Sequence, residues 1–155
     1  MNKIALITGA TSGIGKATAT KLAEIGYNII ITGRRGDRLA ALEDELKAKG
    51  IQVLALQFDV RNKEEVHNAI SNLPTEWKNI DILVNNAGFG DHGAFHDSSW
   101  EKQKKMVLLN IVALMQMTYV FGQSMKRRKK GRILNVASIA GFCAGPYMST
   151  YYATK

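Results

Sequence analysis

An α/β fold built on a doubly wound parallel sheet is predicted by three features of this 155-residue sequence. Short β-rich apolar runs alternate strictly with helical patterns. The runs are apolar on both faces, as strands buried between two helical layers must be. A glycine-rich turn sits between the first run and the first helix, at the place where open parallel sheets bind their ligands.

In order, the pattern predicts strands at Ile4–Thr8, Asn28–Thr32, Ile51–Phe58, Ile80–Val84 and Arg132–Val136. Helices are expected at Gly13–Gly26, Asp37–Lys49 and Lys63–Asn72, with a long one from about Ser98 to Arg128. No repeat, low-complexity tract or linker interrupts the series, so residues 1–155 read as one unit. At 46% hydrophobic and 22% charged, the composition is that of a globular domain. No stretch approaches the roughly 18 uninterrupted apolar residues of a membrane span. Met1-Asn2-Lys3 leads directly into the first strand without a leader-like segment. The single Cys143 cannot form an intrachain disulfide, and a reducing cytoplasm is expected.

The net charge of +8 includes a run of five cations, Lys126 to Lys130. A nucleic-acid or membrane patch is conceivable there. A solvated helix end, suited to the negative pole of the dipole and stopped by Gly131, is the reading adopted. Neither nucleic acid nor membrane is therefore expected as a partner. His67, His92, His96 and Cys143 lack metal-ligand or nucleophile spacing and read as structural. Met106, Met115 and Met117 read as core or as a subunit interface.

The turn Thr8-Gly9-Ala10-Thr11-Ser12-Gly13-Ile14-Gly15 suits a dinucleotide pyrophosphate. Gly9 permits the tight turn, Gly13 close backbone approach, and Gly15 helix-to-strand packing. The helix then offers free N–H groups and a positive dipole, and Ser12 a hydroxyl. Thr11 and Ile14 belong to the same cofactor-binding turn. After the second strand comes Thr32-Gly33-Arg34-Arg35, where NAD-binding folds usually carry an acid on the ribose 2′-hydroxyl. Guanidinium groups pair instead with a 2′-phosphate, so Arg34 and Arg35 point to NADP(H). Asp37 is close enough to be the missing acid, which leaves NAD open.

With these residues in hand, the chain resembles the short-chain dehydrogenase/reductase family, of Rossmann-like fold, along its whole length. Asp59-Val60 resembles that family's adenine-contacting pair, and Asn85-Asn86-Ala87-Gly88 its Asn-Asn-Ala-Gly element, in which Asn86 helps fix the central sheet and the backbone of Asn86, Ala87 and Gly88 lies along the cofactor. Asn110, Ser138, Tyr151 and Lys155 resemble its catalytic tetrad. Ser138 at a strand's carboxyl end can donate to a carbonyl oxygen as charge develops. Tyr151 and Lys155, four apart, share a helix face, and an ammonium there favours the phenolate. Tyr152 could pass for the catalytic phenol but lacks the spacing.

The resemblance further implies that Lys155 holds the nicotinamide ribose and that Asn110 relays protons through water. It implies a homodimer or homotetramer, and a domain of about 250 residues of which 1–155 are the N-terminal part. Through Gly88 the chain is similar to the branch oxidising serine-like 3-hydroxy acids. From Phe89 onward it looks more like a different bacterial branch of reductases. The function implied is hydride transfer between NADP(H) and a carbonyl or secondary alcohol on a small molecule, with a 3-hydroxy acid among the candidates. A non-catalytic NADP(H)-binding regulator, or an inactive fragment, is the alternative.

Overall fold

Five parallel strands in the order β3-β2-β1-β4-β5 form the sheet of the computed structural model, which describes residues 3–155. Met1 and Asn2, at the start of the expected leader-free segment, lie outside them. The strands are β1 Ile4–Ile7, β2 Asn28–Gly33, β3 Val53–Gln57, β4 Ile82–Asn85 and β5 Arg132–Asn135. Helices α1 Gly13–Glu24, α2 Gly36–Lys47 and α3 Lys63–Ser71 make the first crossovers. Asn62 caps α3, its side-chain oxygen accepting from the amides of Glu64 and Glu65.

Period-2 alternation divides the core. Leu6, Ile30 and Leu83 pack on one face against Trp77, Met117 and Phe121. Ile7, Ile29, Ile31 and Val84 pack on the other against Ala19, Ala23 and the α2 leucines Leu39, Leu42 and Leu46. Both faces are thus covered, as an all-parallel sheet requires. Ile80, expected to open the fourth strand, is buried ahead of the ladder, which starts at Ile82. α1 stops at Glu24 rather than Gly26, and Gly26 makes the left-handed exit at φ +83°.

β5 pairs with β4 alone among the described residues, and its four residues are exposed. The long helix differs from the single α-helix expected from the sequence. It consists of α4 Trp100–Val107, a π-helical segment Leu108–Ala113 and α5 Leu114–Arg128. By length and apolarity 100–128 contains a stretch that could cross a bilayer; its inner side instead seats Met117, Phe121 and Met125 on the sheet. Met106 and Met117 are core, whereas Met115 faces outward at 61% exposure.

The cationic run is not simply solvated. Arg128 donates to the Ile80 carbonyl, and Lys130 pairs with Asp81 at 2.8 Å. Lys129, not Gly131, takes the left-handed cap at φ 52°. Gly131 is required for another reason: a Cβ there would meet the Met125 side chain.

Ile30 is fully buried in the middle of the sheet. Ile30→Ala is expected to cost about 2–5 kcal/mol, as a shift of the urea midpoint with an unchanged slope.

Candidate functional site

The carboxyl ends of β1 and β4 meet at the point where the sheet's winding reverses, and the chain stitches them together there. The Thr8 hydroxyl accepts from the amides of Asn86 and Ala87, both at 3.0 Å, and donates to the Val84 carbonyl at 3.3 Å. The Asn86 amide donates back to the carbonyls of Thr8 at 2.9 Å and Gly9 at 3.1 Å. Gly9 holds φ +64°, and a Cβ on it would stand 2.9 Å from the Ala87 backbone. Gly15 faces the same junction: a Cβ there would meet the Asn86 amide and lie 2.5 Å from the Gly9 carbonyl oxygen. The Ser12 side chain makes no capping bond to α1. The first amides of that helix have no intrahelical acceptor and can serve an anion.

A cleft of about 380 Å³ runs across this junction. Gly9, Thr11, Ser12 and Ile14 line it from the turn; Gly13, at φ +54°, and Gly15 do not line it. Asn86, Ala87 and Gly88 line its floor.

Arg34, Arg35, Asp59 and Val60 line the end beyond β2 and β3. Arg35 donates to the Thr11 hydroxyl at 2.9 Å, and Arg34 stands 4.0 Å from Asp59. Asp37, the acid that kept NAD open, is exposed in the first turn of α2 and does not line the cleft. Arg61, which sequence reading missed, also lines this end. Its Nε donates to both Asp59 oxygens, at 3.0 and 3.1 Å. That hydrogen bond holds the Asp59 carboxyl below the usual range, against the opposing effect of burial. Its signal was the short step from Asp59 to Arg61 within one turn.

Tyr151 and Lys155 line the opposite end. Tyr151 lies on α6, Ser149–Thr154, and Lys155 is the C-cap of that helix. Lys155 donates to the Val136 carbonyl at 2.9 Å, and its nitrogen stands 6.0 Å from the Tyr151 ring centre. Gly90 lies flat on that ring, where a Cβ would come within 3.0 Å of it. Tyr152 instead packs against Gly145 and does not line the cleft. Among β5-side residues the lining extends through Val136 and Ala137, and Ser138 follows just outside it. The Ser138 oxygen accepts from the Ala140 amide at 3.2 Å, leaving its O–H to donate elsewhere.

Asn110 is buried behind the cleft in the π-helical segment. Its side chain accepts from the Phe89 amide at 3.1 Å and donates to the Phe89 carbonyl and the Thr154 hydroxyl, both at 2.9 Å. π-Bulges often mark functional positions. Among the described residues no cluster of His, Cys, Asp or Glu could hold a metal ion. His92 stacks on Tyr147, with ring centres 5.6 Å apart.

A parallel sheet with a glycine turn and an arginine pair beyond the second strand is the arrangement of a dinucleotide-binding domain. Residues 3–155 match the family described as short chain dehydrogenase, and the chain belongs to that family. It is 42% identical to the NADP-dependent 3-hydroxy acid dehydrogenase YdfG of Salmonella typhi over 98% of this chain and 60% of that protein. The chain spans about three fifths of the length of such curated relatives. The crystal structure of serine dehydrogenase from Escherichia coli superposes with a TM-score of 0.91 at 38% identity, covering 98% of this chain and 69% of that one. A closed form of serine dehydrogenase complexed with NADP+ superposes at 0.92, also at 38% identity, over 98% and 60%.

Because the Asp59 carboxyl ionises more readily folded than unfolded, its contribution to stability is present above about pH 4 and is lost as pH falls through the depressed value. Asp59→Asn should therefore flatten the fall of the urea midpoint between about pH 4 and pH 2. An unchanged slope would show that the Asp59–Arg61 pair does not carry it.

Proposed function

We propose that the protein is an NADP(H)-dependent oxidoreductase that interconverts a carbonyl and a secondary alcohol, with a 3-hydroxy acid as the substrate class. The observation that carries this reading is the placement of Tyr151 and Lys155 in the same cleft as Arg34 and Arg35. The donor set suits NADP(H). Paired guanidinium groups match a 2′-phosphate, and the opening amides of α1 match the pyrophosphate. Tyr151 and Lys155 are left at the far end for the nicotinamide ribose and the reacting carbon. The names of the relatives support both the cofactor and the acid substrate.

When bound, NADP(H) supplies or accepts the hydride. In the reductive direction the Tyr151 hydroxyl donates its proton to the substrate oxygen, and in the oxidative direction the phenolate takes it back. Lys155, anchored on the Val136 carbonyl, would hold the ribose hydroxyls and brings a positive charge to the Tyr151 end of the cleft. The unspent Ser138 O–H donates to the substrate oxygen as charge builds on it. Asn110 continues the proton path behind Lys155. The exposed apolar residues Trp100, Met115 and Tyr119 on the long helix support association of the protein as a homodimer or homotetramer. The lone, exposed Cys143 suits a cytoplasmic setting.

Tyr151→Phe in the full-length protein should lower kcat by about 10²–10⁴-fold on any ketone or 3-hydroxy acid that is turned over. Unchanged turnover would remove Tyr151 from the chemistry. Replacing Arg34 and Arg35 together by alanine should weaken NADPH binding by about ten- to a hundredfold, measured by fluorescence titration, and leave NADH nearly unaffected. Equal losses for the two cofactors would refute the 2′-phosphate assignment.

A further inference from the structure

Tyr151 lies on α6, and its place over the cleft depends on what holds that helix. Lys155 is fixed by its bond to Val136. Tyr151 has no such bond from its own side chain among the described residues; its ring rests on Gly90. Its backbone, however, is held. The Thr154 hydroxyl donates to the Tyr151 carbonyl at 2.9 Å and accepts from the Asn110 amide at 2.9 Å. Asn110 in turn grips both the N–H and the C=O of Phe89.

These bonds form one unbroken path, from the Phe89 peptide through the Asn110 amide and the Thr154 hydroxyl to the Tyr151 backbone. One end is the cleft floor, where Gly88, Phe89 and Gly90 lie. The other end carries the phenol. Thr154 is 9% exposed, and Asn110 is 5% exposed. Both Nδ2 hydrogens of Asn110 are committed, one to Phe89 and one to Thr154, as is the single hydroxyl hydrogen of Thr154. A buried and fully used chain of this kind is rigid, because any member that moves leaves a polar group without a partner. Mere packing would be served as well by valine, which has nearly the shape of threonine without the hydroxyl.

We propose that Thr154 is a positioning residue: its hydroxyl couples the π-helical segment at Asn110 to the backbone of Tyr151 and so sets the phenol's place over the cleft floor. This rests on the oxidoreductase reading above. Thr154 touches neither substrate nor cofactor in this scheme and acts through Tyr151. Loss of its hydroxyl lets α6 shift against the floor by a fraction of an ångström, and misplacement of about 1 Å can cost roughly a hundredfold in rate.

The test compares Thr154→Val and Thr154→Ser in the full-length protein, measuring kcat, KM, the Kd for NADPH and the thermal midpoint. The expected result for the valine variant is a fall in kcat of at least about tenfold, with the NADPH Kd within about twofold and the thermal midpoint lowered by only a few degrees through the unpaired Asn110 N–H. The serine variant, which keeps the hydroxyl, should return to within about threefold of the parent. A valine variant with full activity overturns the proposal. So does one that loses NADPH binding or folding in step with activity, or a serine variant that fails to recover. If the parent protein turns over none of a broad panel of ketones, aldehydes and 3-hydroxy acids, the oxidoreductase reading fails on its own. Hydrogen exchange then decides the coupling. Thr154→Val should speed exchange of the Phe89 amide, whose acceptor is Asn110, by at least about tenfold; an unchanged rate overturns it.

Discussion

The seam between β1 and β4 is the constraint on which the rest of the site depends. Two parallel strands that neighbour each other but are far apart in sequence leave a crevice where their crossovers part. Here the crevice is held to one width by the Thr8 hydroxyl and the Asn86 amide, which together make five hydrogen bonds across it. Gly9 and Gly15 exist to let those bonds form, since a Cβ at either would collide with the far side of the seam. The turn of α1, the floor at Gly88 and the direction of the long helix all start from this junction. Asn86, which the resemblance expected to fix the central sheet, is the clasp of this seam.

The order of the elements was legible because it rests on periodicity. Ile29 and Ile31 face one layer and Ile30 the other, and a sequence apolar at all three positions admits only a strand buried on both sides. The glycine turn was legible for a similar reason: few sequences other than Gly9 to Gly15 can make that bend between strand and helix. The cleft was legible as far as its lining is local. Arg34 and Arg35 follow β2 directly, and a strand's carboxyl end is where parallel sheets place their ligands. Tyr151 and Tyr152 were separated by spacing to Lys155 alone, and the structure turns them to different sides, toward Gly90 and Gly145 respectively.

What the sequence concealed is set by distant contacts. The π-helical segment at Leu108–Ala113 leaves no mark on hydrophobic spacing, because one added residue in a turn shifts the apolar stripe by less than the stripe's own width. Yet it sits where Asn110 reaches Phe89 on one side and Thr154 on the other. Thr154 itself reads as a small polar residue between two conspicuous ones. Its partners are 44 and 3 residues away, and only the first shows that the hydroxyl is buried for a reason.

The surplus of positive charge shows the same dependence on place. A net charge of +8 suggests a diffuse attraction for any anion, but individual cations differ in their partners. Lys130 is paired with the Asp81 carboxylate, and Arg61 with that of Asp59. Arg35 differs, since its bond is to the neutral Thr11 hydroxyl. Lys155 likewise bonds a neutral carbonyl. Their charges are thus positioned by hydrogen bonds without being cancelled, one at each end of the cleft. A neutral tether aims a cation and leaves its field intact, whereas a carboxylate would aim it and silence it at once. Such an arrangement suits an elongated anion that carries a phosphate at one end.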